Sequence, residues 1–127
     1  METIREAYGT FEYPSDFISD SGEYYNIPDN YTSKSKLVEG DRMKLMVMED
    51  GRFLYKQLTQ ALQGRVIAEI QYNRDDLFAV VEKTGKSYNI LKSSQTFYEL
   101  EPDDKVVIIL PLQKDTNWCT IDNRLPR

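Results

Sequence analysis

The side chains that most often carry acid–base and nucleophilic chemistry are scarce in this sequence. Its 127 residues include no histidine and a single cysteine, Cys119. Histidine is the usual general base near neutral pH and the usual partner of serine and cysteine nucleophiles, and zinc sites need several His or Cys ligands. The chain also lacks a glycine-rich phosphate loop and a dinucleotide-binding fingerprint. The sequence therefore predicts a protein that is not an enzyme and that binds no metal and no cofactor.

Two pairs of adjacent aspartates, Asp75-Asp76 and Asp103-Asp104, are the remaining candidates for carboxylate chemistry. Adjacent residues of a strand point to opposite faces of a sheet, and aspartates in turns mostly accept hydrogen bonds from their own backbone. Both pairs therefore indicate turns. A small β-barrel enzyme that uses Asp and Lys is left as a remote alternative.

Basic and aromatic residues in the first half of the chain form the best candidate for a binding site. Aromatic rings beside cations bind single-stranded nucleic acid by base stacking, at about 1–3 kcal/mol per stacked base, and by phosphate contact. The alternative is that these cations are solvated charges at strand edges, which discourage aggregation of sheets. The candidate nucleic-acid-binding residues are Tyr31, Lys34, Lys36, Arg42, Lys44, Arg52 and Lys56.

The overall charge supports a second hypothesis, an acidic protein–protein adaptor that does not contact nucleic acid. The formal net charge is −5 and the sequence pI is about 4.8, whereas nucleic-acid binders usually carry a basic surplus. The second half carries Glu99, Glu101 and Asp103 where the first half has its basic segment, which predicts two faces of different charge. The expected partner is thus nucleic acid or an unidentified protein, and a homo-oligomer is a further expectation.

The sequence also predicts a cytoplasmic protein without membrane contact. It has no apolar run near the roughly 18 residues that a spanning helix needs, and its first residues do not resemble a signal peptide. One cysteine cannot form an intrachain disulfide, and we expect Cys119 to be a buried thiol.

The elements that must position these residues are mostly strands. Met43, Leu45 and Val47 alternate with more polar neighbours as in a half-buried strand, and Asp50-Gly51 before the next apolar run predicts a hairpin with a type I′ turn. The first 21 residues mix turn formers such as Gly9 and Pro14 with aromatic residues. We expect them to form an irregular arm that lies against the body or a partner.

An internal repeat organises the rest of the chain. At an offset of 63 residues the two halves align without a gap from Gly22 onward, and the apolar strand from Met43 falls on the apolar strand from Val106. The identical pairs are Gly22/Gly85, Tyr25/Tyr88, Asn26/Asn89, Ile27/Ile90, Leu37/Leu100 and Asp41/Asp104. One unit has few strands, so we expect the two units together to complete a closed sheet.

The first unit resembles the AbrB/SpoVT/MazE type of half-barrel, found in bacterial transition-state regulators and antitoxins. The resemblance rests on Ile27-Pro28 after a strand, on Leu-Val-Glu-Gly-Asp at residues 37–41, and on the hairpin at Asp50-Gly51. Two units in one chain resemble MraZ-like tandem proteins, in which two halves make one barrel. The resemblance implies a homo-oligomeric, transcription-associated DNA-binding regulator.

The chain departs from that family pattern in both units. The family has a short amphipathic helix with an arginine and a leucine after Ile-Pro, whereas this chain has Thr32 and Ser35 there, so residues 29–36 predict a turn or strand. The second unit replaces Ile-Pro by Ile90-Leu91 and Gly-Asp by Asp103-Asp104. These departures bear on DNA binding more than on the barrel.

The predicted fold is all-β: a compact small barrel, or two half-barrels, built from a tandem strand-rich repeat with an irregular N-terminal arm. The expected boundaries are 1–21 for the arm, 22–60 for the first β unit and 61–127 for the second, together one compact domain. Residues 59–64 are the expected linker or short helix between the units.

The nucleic-acid hypothesis predicts a salt-dependent association. Binding to single- or double-stranded nucleic acid should weaken as salt rises, because phosphate contacts release counterions. Replacing Lys34 and Lys36 together by Ala should weaken it further at fixed salt, as measured by fluorescence anisotropy. No association at low salt, or association indifferent to salt, contradicts the hypothesis.

Overall fold

The computed structural model describes residues 2–127 and consists mainly of antiparallel strands. The strands form two five-stranded sheets, and each sheet comes from one contiguous half of the chain. The prediction of an all-β fold from a tandem repeat is therefore confirmed.

The first half has the strand order β3-β2-β1-β4-β5, so its longest strand is central. A six-residue helix precedes the return to the sheet between β3 and β4. The elements are β1 (Thr3–Glu12), β2 (Asp16–Ser19), β3 (Tyr24–Asn26), α1 (Asp29–Lys34), β4 (Arg42–Met48) and β5 (Phe53–Thr59).

The second half repeats this topology in the order β8-β7-β6-β9-β10. Again the first strand of the half is central and a six-residue helix follows the third strand. The elements are β6 (Gln63–Asn73), β7 (Asp76–Val81), β8 (Ser87–Asn89), α2 (Lys92–Phe97), β9 (Lys105–Pro111) and β10 (Thr120–Arg124).

The repeat extends to the backbone conformation. The elements β3 and β8, α1 and α2, and β4 and β9 begin and end at residues 63 apart. Left-handed residues recur at the same offset: Gly22 and Gly85, Lys36 and Glu99, Gly40 and Asp103 all have positive φ. Upstream the offset changes, because Phe11 pairs with Phe17 whereas Ile70 pairs with Ala79 across a longer hairpin. This length difference explains why the sequence match fades before Gly22.

The expected irregular arm at residues 1–21 is wrong, because most of it forms β1 and β2 of the first sheet. Phe11 and Phe17 face each other across these strands and are fully buried in the first core. Gly9 is a strand residue: a Cβ there would lie 2.2 Å from the Ile18 carbonyl oxygen, so its absence permits the close approach of β1 and β2. In the sequence, Gly9 and Pro14 indicate irregular structure. In the structure Gly9 permits the close contact of two strands, and Pro14 lies in the tight hairpin between them.

The expected single closed barrel is also not found. Residues 3–19 supply two strands to the first half, as residues 63–81 do to the second, so each half makes a five-stranded sheet with its own core. One core is built around Phe11, Phe17 and Leu45 and the other around Ile70, Val106 and Ile108. Within residues 2–127 neither sheet closes into a barrel.

Two local predictions need correction as well. Residues 29–34 form α1 rather than a turn or strand: Pro28 precedes the helix at φ −55°, and the buried Thr32 bonds the Pro28 carbonyl. The hairpin at Asp50-Gly51 exists, but only Gly51 has positive φ, so it is a three-residue loop with a left-handed glycine and not a type I′ turn.

The two halves are joined by polar contacts. The Tyr13 hydroxyl lies 2.7 Å from the Thr120 hydroxyl, which in turn donates to the Leu37 carbonyl at 2.6 Å. The helices α1 and α2 meet through Ser33, which hydrogen-bonds Ser93 and Ser94. Residues 60–62 link the sheets without a helix.

A matched pair of substitutions tests the shared backbone conformation. Asp103 holds φ +74° at the position of Gly40 in the other half, where φ is +100°. Asp103→Gly should raise the free energy of unfolding by about 0.5–1 kcal/mol, because an L-residue is strained in this region. Gly40→Asp should lower it, since the new Cβ also comes to 3.1 Å from the Ala61 Cβ. Urea denaturation measures both; equal signs for the two changes would contradict the assigned conformations.

Candidate binding surface of the first sheet

Three of the candidate cations lie on the outer face of the first sheet. Met43 and Leu45 of β4 are buried in the core, so the alternating residues Arg42 and Lys44 point to the opposite face. Lys56 of β5 is opposite Lys44 in the ladder and shares that face. The sequence alternation therefore places these side chains as predicted for a half-buried strand.

Carboxylates of the same face neutralise two of these cations. The Arg42 guanidinium binds both oxygens of Asp20 at 2.8 and 2.9 Å, and the Lys44 ammonium lies 3.1 Å from Glu6. The hydrogen bond from Arg42 lowers the pKa of Asp20, and the bond to Glu6 raises the pKa of Lys44. Lys44 also lies 5.7 Å from the centre of the Tyr8 ring. Phosphate groups would have to displace these carboxylates.

The other candidates are dispersed over the molecule. Arg52 binds Asp50 at 2.7 Å within its hairpin loop, and Lys36 binds Asp122 of the second half at 3.0 Å. Lys34, at the end of α1, is exposed and forms no ion pair within residues 2–127, and the same holds for Lys56. The seven predicted residues therefore do not come together as one basic patch.

The acidic excess lies in the first half of the chain. Residues 1–60 contain eleven acidic and seven basic side chains, a net charge of −4, whereas residues 61–127 contain ten and nine, a net charge of −1. The prediction from Glu99, Glu101 and Asp103 concerns two faces of different charge; for the halves as wholes, the first is the more acidic.

Apolar side chains fill much of the remaining outer face of the first sheet. Tyr24 on β3 is 68% exposed, Tyr8 on β1 is 46% exposed and Leu54 on β5 is 40% exposed. Ile18 pairs with Tyr24, and Met46 pairs with Leu54, in the strands between them. These five residues, Tyr8, Ile18, Tyr24, Met46 and Leu54, are called the outer aromatic face below. Sequence reasoning missed it because two of its strands fall in the supposed arm.

Aromatic side chains also bridge the gap between the end strands β3 and β5, called the first seam below. The rings of Tyr25 and Phe53 meet edge to face, with centroids 5.7 Å apart. The Tyr31 hydroxyl donates to the Tyr55 carbonyl at 3.1 Å, and the Tyr55 hydroxyl reaches the Asn26 carbonyl at 3.5 Å. Burial raises the pKa of Tyr55 to about 12, so this phenol remains a hydrogen-bond donor at neutral pH. Tyr31 thus packs within the protein and is not presented for base stacking.

Two buried aspartates, at equivalent places in the halves, fix the turns before β4 and β9. The carboxylate of Asp41 accepts hydrogen bonds from the amides of Val38 and Ala61 and from Gln57, and burial raises its pKa. Asp104 accepts the amide of Glu101 and a bidentate pair from Arg127 at 2.8 and 3.0 Å. The hydrogen bond from Arg127 lowers the pKa of Asp104.

The groups considered for chemistry have structural partners. Asp76 accepts the amide of Leu77 and the side chain of Gln95, which is the turn role expected for that pair. Cys119 is buried, and burial raises the pKa of its thiol, which lowers its reactivity at neutral pH. Within residues 2–127, no group of three or more His, Cys, Asp or Glu side chains is placed to hold a metal ion. In the same part of the chain no helix has the length and apolar character needed to cross a bilayer.

Comparisons with known proteins add no relative. No protein-family model matches the chain, and no curated protein matches its sequence significantly. The order strand, Ile-Pro, short helix, Leu-to-Asp turn and hairpin is present in the first half. Kinship with the AbrB/SpoVT/MazE type stays a prediction.

The two buried aspartates should give opposite dependences of stability on pH. Asp104 has a lowered pKa in the folded state, so it contributes stability above its ordinary pKa of 3.8, and this contribution is lost as pH falls. Asp41 has a raised pKa, so its contribution is largest at low pH and declines as pH rises through the folded-state value. Asp104→Asn should therefore lower the free energy of unfolding more at pH 7 than at pH 3. Asp41→Asn should lower it more at pH 3 than at pH 7.

Urea unfolding of the wild type and both variants between pH 3 and 7 checks this prediction. At pH 7 we expect a loss of about 1–3 kcal/mol for Asp41→Asn, because the amide leaves one of three buried donors without an acceptor. Parallel pH profiles for the two variants would show that the two carboxylates have the same ionisation behaviour, contrary to the geometry.

Proposed function

We propose that this protein is a non-enzymatic, acidic adaptor that binds another protein through the outer aromatic face of its first sheet. The observation that supports this proposal best is the combination of exposed Tyr8, Tyr24 and Leu54 with cations that are already paired to carboxylates. Tyrosine, methionine and arginine are enriched at protein interfaces, and the centres of such interfaces are depleted of unpaired charge.

The charge distribution favours a protein over nucleic acid as the partner. Nucleic-acid affinity depends mainly on cations that neutralise phosphates. Arg42 and Lys44 form ion pairs with Asp20 and Glu6, and residues 1–60, which contain them, have a net charge of −4. A partner with apolar groups and a moderate basic surplus would complement this surface, because opposite charges steer association.

The transcription-associated nucleic-acid function stays a prediction and would rest on Lys34 and Lys56, which are exposed. Replacing Lys34 and Lys36 together also removes the ion pair between Lys36 and Asp122 of the second half, so a loss of nucleic-acid binding could reflect a change in structure. Homo-oligomer formation likewise stays a prediction. We infer a cytoplasmic setting, since the only cysteine is a buried free thiol.

Site-specific photocrosslinking in cells tests the proposed function. A photoreactive residue at position 24 should give a discrete adduct with another protein, and Tyr8→Ser should remove that adduct by weakening the shared face. The matched control is the same photoreactive residue at position 72, because Tyr72 is also exposed, at 61%, but lies on the second sheet. Adducts at both positions, adducts indifferent to Tyr8→Ser, or adducts at neither position would contradict the proposal.

A further inference from the structure

The edge strand β3 turns backbone groups toward the first seam that have no backbone partner within residues 2–127. Ser19 N–H donates to the Glu23 carbonyl and Ile27 N–H to the Ser15 carbonyl, so the odd-numbered residues of this segment bond β2. Hydrogen bonding alternates along a strand, so the N–H and C=O of Asn26 point away from β2. The Tyr55 hydroxyl, 3.5 Å from the Asn26 carbonyl, confirms this direction.

In the second half, a segment of the chain occupies the equivalent place. Asn89 is the counterpart of Asn26, and it forms a parallel bridge with Trp118. Its N–H donates to the Asn117 carbonyl at 2.8 Å, and its carbonyl accepts the Cys119 N–H at 3.1 Å. An extended stretch of chain, residues 117–119, thus lies along β8 and pairs with the backbone of Asn89, whereas Asn26 has no backbone partner on that side within residues 2–127.

The hairpin lengths explain the difference between the halves. The strands β4 and β5 are joined by a short loop in which Met48 N–H bonds the Arg52 carbonyl. The strands β9 and β10 are separated by residues 112–119, which are long enough to reach across to β8. In the first half the tyrosines Tyr31 and Tyr55 cross the seam with single hydroxyl contacts, where the second half has backbone pairing.

We propose that the first seam binds an extended segment of a partner protein, added parallel to β3 in the way that residues 117–119 lie along β8. This inference rests on the proposed protein-binding function. It assigns the hydrogen bonds with the partner's backbone to the first seam. Addition of a strand to an open sheet edge is a general mode of peptide recognition, in which backbone hydrogen bonds give affinity and side chains give selectivity.

The surroundings of the seam indicate the chemistry of the segment. Tyr24 is exposed on β3, and Phe53, 45% exposed, flanks the seam on β5. Two successive amides of the segment would bracket Asn26, as Asn117 and Cys119 bracket Asn89. By analogy with the bridge between Trp118 and Asn89, the residue between those amides would lie on the same face as Asn26 and Tyr24. An apolar or aromatic side chain there would pack beside the exposed Tyr24 ring. The expected ligand is therefore an extended segment centred on an aromatic residue, without proline at the pairing positions.

The chain supplies its own probe for this proposal. A synthetic peptide of residues 113–121, with Cys119→Ser to prevent oxidation, is titrated to about 1 mM into the isotopically labelled protein and followed by NMR. We expect saturable amide shifts at residues 24–26 and 53–57. The same peptide N-methylated at the amide of position 119 should bind at least tenfold more weakly, because it lacks the donor for the Asn26 carbonyl.

Two substitutions at one position separate backbone recognition from side-chain contact. Asn26→Pro removes the outward N–H without touching the bonds to β2 and should weaken peptide binding at least tenfold, whereas Asn26→Ala keeps the backbone groups and should bind like the wild type. Tyr55→Phe removes the hydroxyl that competes for the Asn26 carbonyl and should leave the affinity unchanged or higher. NMR dispersion shows that each variant is folded.

Three outcomes would overturn the inference: no saturable shifts at the first seam, shifts confined to residues 87–89, or equal binding by the Pro and Ala variants. The photocrosslinking experiment keeps the two proposals apart. If Asn26→Pro retains the adduct formed at position 24, the seam inference fails while the adaptor proposal stands. If the peptide binds at the seam but position 24 gives no adduct, the adaptor proposal fails while the seam inference stands.

Discussion

A buried aspartate anchors the turn that returns the chain to the sheet in each half, and the architecture depends on it. Asp41 and Asp104 each accept an amide three residues upstream, at Val38 and Glu101. The same turns pair with the central strand, since Phe11 N–H bonds the Asp41 carbonyl and Ile70 N–H bonds the Asp104 carbonyl. One aspartate therefore fixes the turn through its carboxylate and attaches it, through its backbone carbonyl, to the strand that carries the core. Leaving such buried amides unpaired costs on the order of 1–3 kcal/mol each.

The buried aspartates of the two halves have different hydrogen-bond partners. Asp41 is surrounded by neutral donors and has a raised pKa, whereas Asp104 is bound by Arg127 near the end of the described chain and has a lowered pKa. The halves also treat their seams differently, with tyrosine side chains in the first and a backbone bridge in the second. The two halves share a topology but differ at the seam: Asn26 lacks the backbone partner that residues 117–119 provide for Asn89, which makes the first half the better candidate for binding.

Much of the fold follows from local sequence rules, and the failures have identifiable physical causes. The 63-residue repeat, the strands at Met43 and Val106 and the hairpin at Gly51 could be predicted from alternation and turn chemistry. The strands at residues 3–19 could not, because Gly9 has no side chain where β1 approaches β2, a contact that exists only in the folded sheet. Helix α1 was missed because its buried Thr32 and Ser33 are poor helix formers. The contact between Ser33 and Ser94 of α2, which stabilises the helix, exists only in the folded protein.

The sequence by itself determined the all-β class, the tandem repeat, the buried thiol and the alternation that puts Arg42 and Lys44 on one face, because these depend on local periodicity and composition. The tertiary structure decided which charges are available, since the partners Asp20 and Asp122 lie 22 and 86 residues away from Arg42 and Lys36. It also decided that each half has its own core, and that Asn89 has a backbone partner across its seam whereas Asn26 meets only the Tyr55 side chain. These are properties of long-range pairing, which no local pattern encodes.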